Sequence, residues 1–444
     1  MLTSSIILTG HPLFQLSSVF SKVIILFQPA DTADGSIHTW KKQYWTGKKP
    51  PNISAIMDKI TVVHIITLLE FGGAQQNTLH TVAHLDRNYF KPVLVCGTGA
   101  YLDRSAYTLP NLTIIPVPWL KRTINPLYDL TAFIRLCFIL RRIRPSIVHT
   151  HSSKAGIIGR LAAFICRIPI IIHTHHGFGF NEYQPWIVRS LYISLEKLTA
   201  LFTDRMITVS TNNIAYALSK NIGHAEQYLV IRSGINLHRY QRTISEQDKQ
   251  RLYAELGIRS HEKIITMIGC FKPQKNCFDF IKLSVHLRSV CPQASLRFIL
   301  IGDGKQRRAI ETMIKHHNCE DVVQLLGWRE DVPALLRITH IFVLTSLWEG
   351  LPRAAVEALV SGVPVIANDV DGLNEVVQNG RNGFVTKPHD LEEMAEKIKL
   401  LIDHPALYAE YTRNAARSIG SEFDIDRMVR EQENLYHCLM KTKQ

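Results

Sequence analysis

From residue 61 onward, short apolar runs alternate with longer stretches whose apolar positions have helical spacing. Because the short runs are apolar on both faces, they are typical of parallel strands covered by helices on both sides. Seven strands are predicted first, at Thr61–Thr67, Val93–Cys96, Thr113–Val117, Ile147–His149, Ile170–His173, Arg205–Val209 and Leu229–Ile231. The helices predicted between them are Ala74–Leu85, Leu127–Ile143, Ala155–Cys166, Trp186–Ala200 and Asn212–Ser219.

The same alternation begins again after a break near Ser233–Gln250. Its strands are predicted at Ile264–Ile268, Arg297–Ile301, Val323–Leu326, His340–Leu344, Val363–Ala367 and Gly383–Thr386. Its helices are predicted at Phe278–Val290, Lys305–His317, Val332–Arg337, Arg353–Ser361, Leu373–Val377 and Leu391–Leu401. The sequence therefore predicts an α/β fold with two Rossmann-like domains, whose ligands lie in a central cleft at the carboxyl ends of the strands.

The chain has 444 residues, of which 46% are hydrophobic and 20% are charged. This length suits two domains of roughly 200 residues each, and the composition excludes a mostly disordered chain. No apolar run of about 18 residues lacks charges, so a membrane-spanning helix is not expected. The 8 cysteines include no Cys-x-x-Cys pair, which argues against a zinc ribbon or a disulfide scaffold and indicates the reducing cytoplasm.

The first 56 residues do not share the alternation. They mix polar residues, Gly and Pro, and their first basic residue, Lys22, comes too late for a signal peptide. Residues 1–56 are therefore expected to be a non-core extension, and Met57, which leads directly into the first predicted strand, is the predicted initiator. The alternative is a disordered or weakly membrane-associated tail.

Positive charge is concentrated in the first half of the chain. Residues 57–226 carry 17 Lys and Arg against 9 Asp and Glu, whereas residues 227–444 carry 29 against 27. A basic half indicates an anionic partner such as membrane phosphates or a phosphorylated acceptor, unless it is only a basic soluble surface. The sequence has no aromatic-basic RNA-binding motif, so nucleic acid is not an expected partner.

Two glutamates eight residues apart mark the strongest candidate site. Glu349 follows a predicted strand, Pro352 suits the first turn of a helix, and Glu357 then falls in the second turn. Gly350 lets a ligand approach the backbone closely, and the helix N-terminus offers unpaired N–H groups to a phosphate. Since ionised carboxylates only accept hydrogen bonds, the pair suits sugar and ribose hydroxyls.

This segment, with Glu349-Gly-Leu-Pro and Gly362-Val-Pro-Val, resembles the Glu-x7-Glu signature of retaining family 4 glycosyltransferases, which have the GT-B fold. The resemblance covers residues 57–439. Further matches follow in the family's order at Gly72-Gly73-Ala-Gln, Gly302-Asp-Gly, Leu326-Gly-Trp328-Arg-Glu-Asp and Asp371-Gly-Leu-Asn-Glu375. The last of these differs from the family's Gly-Gly-x-x-Glu, because Asp371 replaces the first glycine.

The resemblance implies a role for each matched residue. Glu357 would hold the ribose hydroxyls of the donor nucleotide, and Glu349 would bind the hydroxyls of the transferred sugar beside the reacting carbon. The backbones of Gly350 and Leu351 would help to seat the sugar and the diphosphate. The other positions implied on the donor side are Gly73, Gly302, Trp328 and His176, of which His176 matches a histidine that lies over the donor sugar.

Two lysines are expected to serve the leaving diphosphate. Lys275 matches the family lysine that neutralises it, whereas Cys270 stands where the family commonly has arginine. Lys272 is the predicted substitute for this missing cation. A preorganised cation in a dry cleft stabilises the departing diphosphate more in the transition state than in the ground state. Because the two lysines of this loop supply the positive charge, the reaction is expected to need no metal and no other cofactor.

Histidines cluster at the ends of two strands in the first domain. His149 is predicted to close one strand, with His151 just beyond it, and His173, His175 and His176 come at the end of the next. Imidazoles are common metal ligands, but zinc needs further ligands at a recognisable spacing and the sequence shows none. A catalytic-loop role is therefore favoured over a metal site. His64, inside the first strand, is interpreted as a core histidine.

Two features of the first domain point to the acceptor. Ser152, Ser153 and Lys154 stand at a helix start, where they would either hold a phosphate of the acceptor or cap the helix. The apolar helix Leu127–Ile143 carries several arginines and would rest on anionic lipid headgroups, unless it is an ordinary Rossmann helix with basic exposed positions.

The expected protein is a retaining, metal-independent hexosyltransferase with a GT-B fold. Residues 57–232 would form the acceptor domain, 233–419 the donor domain, and 420–444 a helix that crosses back to the first domain. It would move a sugar from a nucleotide-sugar to a glycan or lipid-linked acceptor in surface polysaccharide or lipopolysaccharide assembly, in the cytoplasm or at the inner face of its membrane. The alternatives are a nucleotide-sugar epimerase and a non-catalytic partner subunit, which only Cys270 favours.

Overall fold

Seven parallel strands form the first sheet, in the order β3-β2-β1-β4-β5-β6-β7. The computed structural model describes residues 59–110 and 112–443, so the predicted extension 1–56 and the predicted start at Met57 lie outside the described residues. The strands are β1 (Ile60–Ile66), β2 (Phe90–Cys96), β3 (Thr113–Pro116), β4 (Ile147–His151), β5 (Ile170–His175), β6 (Arg205–Thr208) and β7 (Tyr228–Val230). The helices are α1 (Gly73–His84), α2 (Asp103–Tyr107), α3 (Pro126–Ile143), α4 (Ser153–Ile165), α5 (Trp186–Ala200) and α6 (Thr211–Ser219).

Six parallel strands form the second sheet, in the order β10-β9-β8-β11-β12-β13. The strands are β8 (Lys263–Ile268), β9 (Leu296–Ile301), β10 (Val323–Gly327), β11 (Ile341–Leu344), β12 (Val365–Asn368) and β13 (Gly383–Thr386). The helices are α7 (Leu237–Gln241), α8 (Glu246–Leu256), α9 (Cys277–Val290), α10 (Arg307–His316), α11 (Val332–Ile338), α12 (Arg353–Val360), α13 (Leu391–Asp403), α14 (Pro405–Ser418) and α15 (Ile425–Lys443). The two sheets confirm the predicted pair of Rossmann-like domains.

Strands β4 and β5 run further than the sequence predicted. The ladder continues through the pairs Thr150 with His173 and His151 with Thr174, so His151 and His175 lie inside strands and not after them. Each extended end contains one threonine, Thr150 or Thr174, and β-branched side chains suit a pleated, buried surface. All five residues of β4 are buried.

The helical predictions were wrong in several places, and the short helix α2 was not predicted. The predicted break near Ser233–Gln250 contains α7 and the start of α8, whose cap Ser245 accepts a hydrogen bond from the Asp248 N–H. The helix predicted at Leu373–Val377 is a 3-10 turn at Asp371–Glu375, which begins at a residue with φ of 41°, outside the right-handed helical region. Helix α14 was not predicted.

The last helix, α15, leaves the second domain and packs against α1 and β2 of the first. Gly234 allows this crossing, because a Cβ there would lie 2.4 Å from the Cα of Ile425. Tyr436 of α15 is fully buried, with its ring against Phe90 and its hydroxyl 2.5 Å from His149 Nδ1. The helix therefore belongs to the core of the first domain, as the sequence predicted.

Candidate active site

The two signature glutamates lie at the carboxyl edge of the second sheet. Glu349 is in the loop between β11 and α12, and Glu357 is in the second turn of α12. Strand β8 lies beside β11, so the loop 269–276 that follows β8 meets the Glu349 loop at this edge. Glu349 is 8% and Glu357 is 9% exposed. Both carboxylates are therefore withdrawn from water at the sheet edge where ligands bind in this architecture.

Glu349 is held on both its side chain and its backbone. Its carboxylate forms an ion pair with the ammonium of Lys275. The side chain of Gln274, one residue earlier, donates a 2.8 Å hydrogen bond to the carbonyl of Trp348. The backbone N–H of Glu349 donates across 2.6 Å to Oδ2 of Asp371. These contacts place an acceptor oxygen and a fixed cation side by side.

Asp371, the residue that departs from the family pattern, has φ of 41°. Glycine is favoured in this left-handed region, and Asp tolerates it better than most residues. Burial of the carboxyl group raises the pKa of Asp371 to about 6, the charge of Glu349 acts in the same direction, and the Glu349 N–H opposes them. The next residue, Gly372, lies so close to the Gly350 carbonyl that a Cβ would be 2.5 Å from its oxygen.

Glu357 lies in the second turn of α12, and Arg353 lies one turn before it. The Nη2 atom of Arg353 is 3.6 Å from Glu357 Oε1. Burial raises the pKa of Glu357, and Arg353 and Tyr240 act against this rise. The sequence analysis did not single out Arg353, although its i, i+4 spacing to Glu357 was a usable signal. Tyr240 left no signal, since it comes from α7, far away along the chain.

Arg353 also reaches the first domain. Its Nη1 atom donates to the carbonyl of Gly73 at 3.3 Å and to Oε1 of Gln76 at 2.8 Å. A Cβ at Gly73 would lie 2.8 Å from Arg353 Cδ, so only glycine fits there without a shift. The glycine turn at the start of α1 therefore meets the helix that carries Glu357.

The loop 269–276 carries both predicted lysines, and Lys275 is paired with Glu349. Burial lowers the pKa of Lys272, and the charge of Lys275 lowers it further. Cys270 is turned toward the first domain, where its thiol donates to the Phe71 carbonyl across 3.1 Å. The two ammonium groups are therefore close enough to influence one another, while the cysteine packs between the domains.

Three of the predicted donor-side residues lie where the two domains touch or where loops cross, namely Gly302, Trp328 and Gly350. Gly302 has φ of 135°, and a Cβ there would be 2.0 Å from the Gly269 carbonyl. The ring of Trp328 packs on Phe71 of the first domain, with centroids 4.5 Å apart. A Cβ at Gly350 would be 2.1 Å from the carbonyl oxygen of His176. Leu351 is buried.

Six histidines of the first domain lie close together, next to the contact between His176 and Gly350. His176 shares a 3.2 Å hydrogen bond with His151, and His151 shares one of 3.0 Å with His64. His149 lies between Tyr436 and Thr174, at 2.5 and 2.6 Å. Burial lowers the pKa of His64 and of His176 to about 3 and that of His175 to about 4. His64 is thus a core histidine, as predicted, but it is also part of a polar network.

Two buried groups of side chains in the described part of the chain have the composition of a metal site. One is His64, His149 and His151, and the other is His173, His175 and Glu196. Glu196 supplies the further ligand that the sequence did not reveal, since it comes from α5. Its carboxylate is already paired with the buried Arg160 at 2.5 Å.

The predicted acceptor residues are engaged with their own domain. Ser152, with φ of 62°, turns its hydroxyl to Thr67 at 2.7 Å and does not cap α4. Lys154 pairs with Asp129 at 2.5 Å. Ser153 packs against Gly179, where a Cβ would be 2.1 Å from its Oγ. Helix capping by these side chains is therefore wrong, and a phosphate would have to compete with Asp129 for Lys154.

Comparison with known families decides what this architecture is. The model of glycosyl transferases group 1 matches residues 248–418, and that of glycosyltransferase family 4 matches residues 71–239. The chain belongs to the family 4 glycosyltransferases. The matched segments include both glutamates, both lysines and His176.

Relatives of known activity are similar along most of the chain. The UDP-Gal:alpha-D-GlcNAc-diphosphoundecaprenol alpha-1,3-galactosyltransferase of Escherichia coli is 29% identical over 87% of this chain and 98% of that protein. The N,N'-diacetylbacillosaminyl-diphospho-undecaprenol alpha-1,3-N-acetylgalactosaminyltransferase of Campylobacter jejuni is 26% identical over 74% of this chain and 87% of that protein.

Solved structures share the GT-B fold of this glycosyltransferase. Anabaena HepE in complex with UDP-glucose superposes with a TM-score of 0.72, at 22% identity, over 85% of this chain and all of that one. WaaG, a glycosyltransferase involved in lipopolysaccharide biosynthesis, superposes with a TM-score of 0.69, at 15% identity, over 84% of this chain and 99% of that one.

Proposed function

We propose that this glycosyltransferase moves a sugar from a nucleoside diphosphate donor to a lipid-diphosphate-linked glycan, with retention of configuration, during surface polysaccharide assembly. One observation carries the proposal. The buried carboxylate of Glu349 is paired with Lys275 at the carboxyl edge of the second sheet, and Glu357 is buried in the second turn of the following helix, α12. The relatives support the acceptor class, because the names of two of them specify diphosphoundecaprenol-linked acceptors.

The donor would lie along the second sheet with its two halves on different residues. Glu357 would accept hydrogen bonds from the ribose hydroxyls, which explains why a buried carboxylate is retained beside Arg353. Glu349 would accept hydrogen bonds from the transferred sugar, with its loop fixed from behind by Asp371. The diphosphate would lie between them, over the start of α12.

The two lysines would supply the positive charge that the leaving group needs. As the glycosidic bond breaks, the nucleoside diphosphate gains charge, and a cation already in place stabilises this charge without reorganisation. Lys275 is held by Glu349, and Lys272 lies close enough for each charge to affect the other. Two ammonium groups can supply the positive charge that a metal ion would otherwise provide at the diphosphate, so we infer metal-independent transfer.

Transfer itself is tested with purified protein, UDP-sugars and a synthetic lipid-diphosphate N-acetylglucosamine. We expect an acceptor heavier by one sugar, with an α-linkage by NMR when the donor is α-linked. Conversion of the donor to another sugar without acceptor would indicate an epimerase. A protein that binds no nucleotide-sugar would be a non-catalytic subunit, and a β-linked product would show inversion.

The acceptor's lipid requires a membrane, and the first domain has a surface that suits one. Helix α3 exposes Leu127, Ile134 and Phe138, which are 74%, 59% and 55% exposed. Helix α5 adds Trp186 and Ile187 at 68% and 62%. Both helices pack on α4, so they lie on the same side of the sheet.

Basic residues accompany this apolar surface. Arg135, Arg141, Arg142 and Arg144 are exposed on or just after α3, and the Arg135 guanidinium lies 5.5 Å from the centre of the Phe138 ring. Apolar side chains flanked by arginines suit an anionic lipid surface. Among residues 59–110 and 112–443, no helix is long and apolar enough to cross a bilayer. We infer peripheral binding at the inner face of the cytoplasmic membrane.

Vesicle sedimentation tests this surface. Wild-type protein should bind vesicles that contain phosphatidylglycerol better than vesicles of phosphatidylcholine alone, and the double variant Ile134→Glu, Phe138→Glu should lose this binding. Val290→Glu changes an exposed apolar residue at the end of α9 in the second domain, so it is the matched control and should bind as wild type. Equal binding by both variants would contradict the assignment.

A further inference from the structure

Three imidazoles form one continuous hydrogen-bonded chain from the domain contact into the core. His176 Nε2 meets His151 Nδ1 at 3.2 Å, and His151 Nε2 meets His64 Nδ1 at 3.0 Å. The residues come from the end of β5, from β4 and from β1, so the chain crosses three neighbouring strands. His64 and His151 are 0% and 2% exposed. Burial keeps the pKa of each of the three well below its ordinary value, so all three rings are neutral at pH 7.

The number of protons on these rings allows only two arrangements. A neutral imidazole carries one N–H and one bare nitrogen. Because His151 uses both of its nitrogens, it must donate to one neighbour and accept from the other. Either all protons point toward His176, whose Nδ1 then carries an N–H, or all point toward His64, whose Nε2 then carries it. The protonated nitrogen of His176 is therefore coupled to that of His64.

The two ends of the chain differ in their surroundings. His64 Nε2 and His176 Nδ1 are both buried and have no hydrogen-bond partner within the described ranges. His64 is enclosed by the core, whereas His176 lies at the contact between the domains. The carbonyl of His176 faces Gly350, and Arg353 is near enough to lower its pKa further. Only the His176 end can meet an oxygen atom of a ligand in the cleft.

We propose that His151 and His64 are positioning residues that fix which nitrogen of His176 carries the proton, so that His176 Nδ1 presents an N–H to an oxygen of the donor sugar. Without a ligand, either arrangement leaves one buried N–H without an acceptor, at His64 or at His176. An oxygen of the donor sugar can accept only from His176, so binding of the donor favours the arrangement with the proton on His176 Nδ1. The inference rests on the proposed function in one respect, namely that His176 lies over the sugar of the donor.

A metal ion bound by His64, His149 and His151 would be a different use of the same residues. The hydrogen bonds favour the imidazole chain. The nitrogens of His149 already face Tyr436 and Thr174, and His151 faces a histidine on each side. In the described residues this leaves His64 Nε2 as the single nitrogen of the three rings without a partner. Metal analysis of the purified protein distinguishes the two uses, and a stoichiometric metal ion lost together with His64 would overturn the proposal.

NMR of protein labelled with 15N-histidine reads the tautomer directly. With UDP-galactose bound, we expect one tautomer of His176 in the wild type, with the proton on Nδ1, and a mixture in His64→Leu. Without ligand, His64→Leu should already change the tautomer populations of His176 relative to the wild type. His64→Asn should preserve the single tautomer, because the Asn amide can replace the Nδ1–H donor. The matched control is His173→Asn, which changes a buried histidine outside the chain and should leave His176 unaltered. A wild type with mixed tautomers when UDP-galactose is bound, or a His64→Leu variant with the wild-type spectrum, would overturn the proposal, and the wild-type spectrum decides even if His64→Leu does not fold.

Ligand binding separates this inference from the proposed function. With UDP alone, which has no sugar, wild type and His64→Leu should bind equally. With UDP-galactose, turnover of His64→Leu should fall about tenfold, the effect of one hydrogen bond, and His64→Asn should recover it. Equal turnover of all variants would overturn the positioning role. A wild type that binds neither ligand would refute the proposed function, while the tautomer measurement would still stand.

Discussion

The carboxylate of Asp371 accepts a 2.6 Å hydrogen bond from the backbone N–H of Glu349. This bond joins two segments that are 22 residues apart in the chain, and it fixes the loop that carries the Glu349 carboxylate. The family pattern that this segment resembles has glycine at this position. Asp371 has φ of 41°, in the left-handed region that favours glycine, and adds a side-chain contact that glycine cannot make.

Asp371 should give the protein a distinct dependence of stability on pH. Its pKa of about 6 in the folded state is above the ordinary value of 3.8, so folding disfavours the charged form. The free energy of unfolding should therefore fall as pH rises from about 4 to 6 and then stay level. Asp371→Asn should lose this fall, by at most about 1 kcal/mol, because part of the residue remains open to solvent, which screens the charge of its carboxyl group. Urea unfolding at a series of pH values measures it, and an unchanged profile would refute the assignment.

Replacement of Glu357 should mainly affect nucleotide binding, whereas replacement of Glu349 should mainly affect turnover. Glu357→Ala should weaken binding of UDP and of UDP-sugars by about tenfold to a hundredfold, the value of one or two charged hydrogen bonds. Glu349→Ala should bind UDP normally and mainly lose turnover, because its carboxylate meets the sugar. Calorimetric titration and steady-state rates separate these effects. Glu392→Ala, on the exposed first turn of α13, is the control.

Transfer should continue in EDTA, because Lys275 and Lys272 supply the charge that a metal ion would otherwise provide. Rates of purified enzyme are compared with and without chelator, and then with added magnesium or manganese. We expect no more than a small change. Complete loss of activity in EDTA, with recovery on addition of either metal, would show that the lysines do not suffice.

Lys272 and Lys275 should contribute comparably to turnover. Lys272→Ala and Lys275→Ala should each lower turnover by about a hundredfold, the typical effect of removing one preorganised charge. Lys282→Ala on α9, whose side chain is 54% exposed, should have no effect. A Lys272→Ala enzyme with wild-type turnover would mean that the site works with Lys275 alone.

An arginine at position 270 should restore part of the activity that Lys272→Ala loses. Cys270 precedes Lys272 by two residues in the same loop, and both lysines are near enough to lower its pKa, so an arginine at this position would add its charge close to theirs. We therefore expect the double variant Cys270→Arg, Lys272→Ala to exceed Lys272→Ala in turnover. Thermal melting of both variants checks that any failure is not a folding defect.

Removal of the Tyr436 hydroxyl should destabilise the first domain. Tyr436→Phe leaves His149 Nδ1 buried without its 2.5 Å partner, which should cost about 1 to 3 kcal/mol in the free energy of unfolding. UDP binding should stay unchanged, since Tyr436 lies outside the cleft. Tyr107→Phe, at a side chain that is 56% exposed, should leave stability unaltered. Equal stability of the two variants would show that the His149 bond contributes little.

The sequence by itself determined the two sheets and the position of the donor site. Apolar runs and helical spacing are local properties, so twelve of the predicted strands overlap the observed ones with ends shifted by no more than about three residues, and Gly383–Thr386 agrees at both ends. The spacing of Glu349 and Glu357 is also local, since both belong to one loop and one helix. Helix α8 escaped prediction because it is polar on most of its surface, with only Leu252 and Leu256 buried.

The tertiary structure alone decided which side chains meet. His64, His151 and His176 come from three strands whose order in the sheet brings them together, and no spacing along the chain encodes that order. Lys154, which looked available for a phosphate, is paired with Asp129 because α3 packs on α4. Periodicity states which face of an element is buried, but the partner across that face depends on how distant segments pack, and this is the physical reason why the site needed the structure.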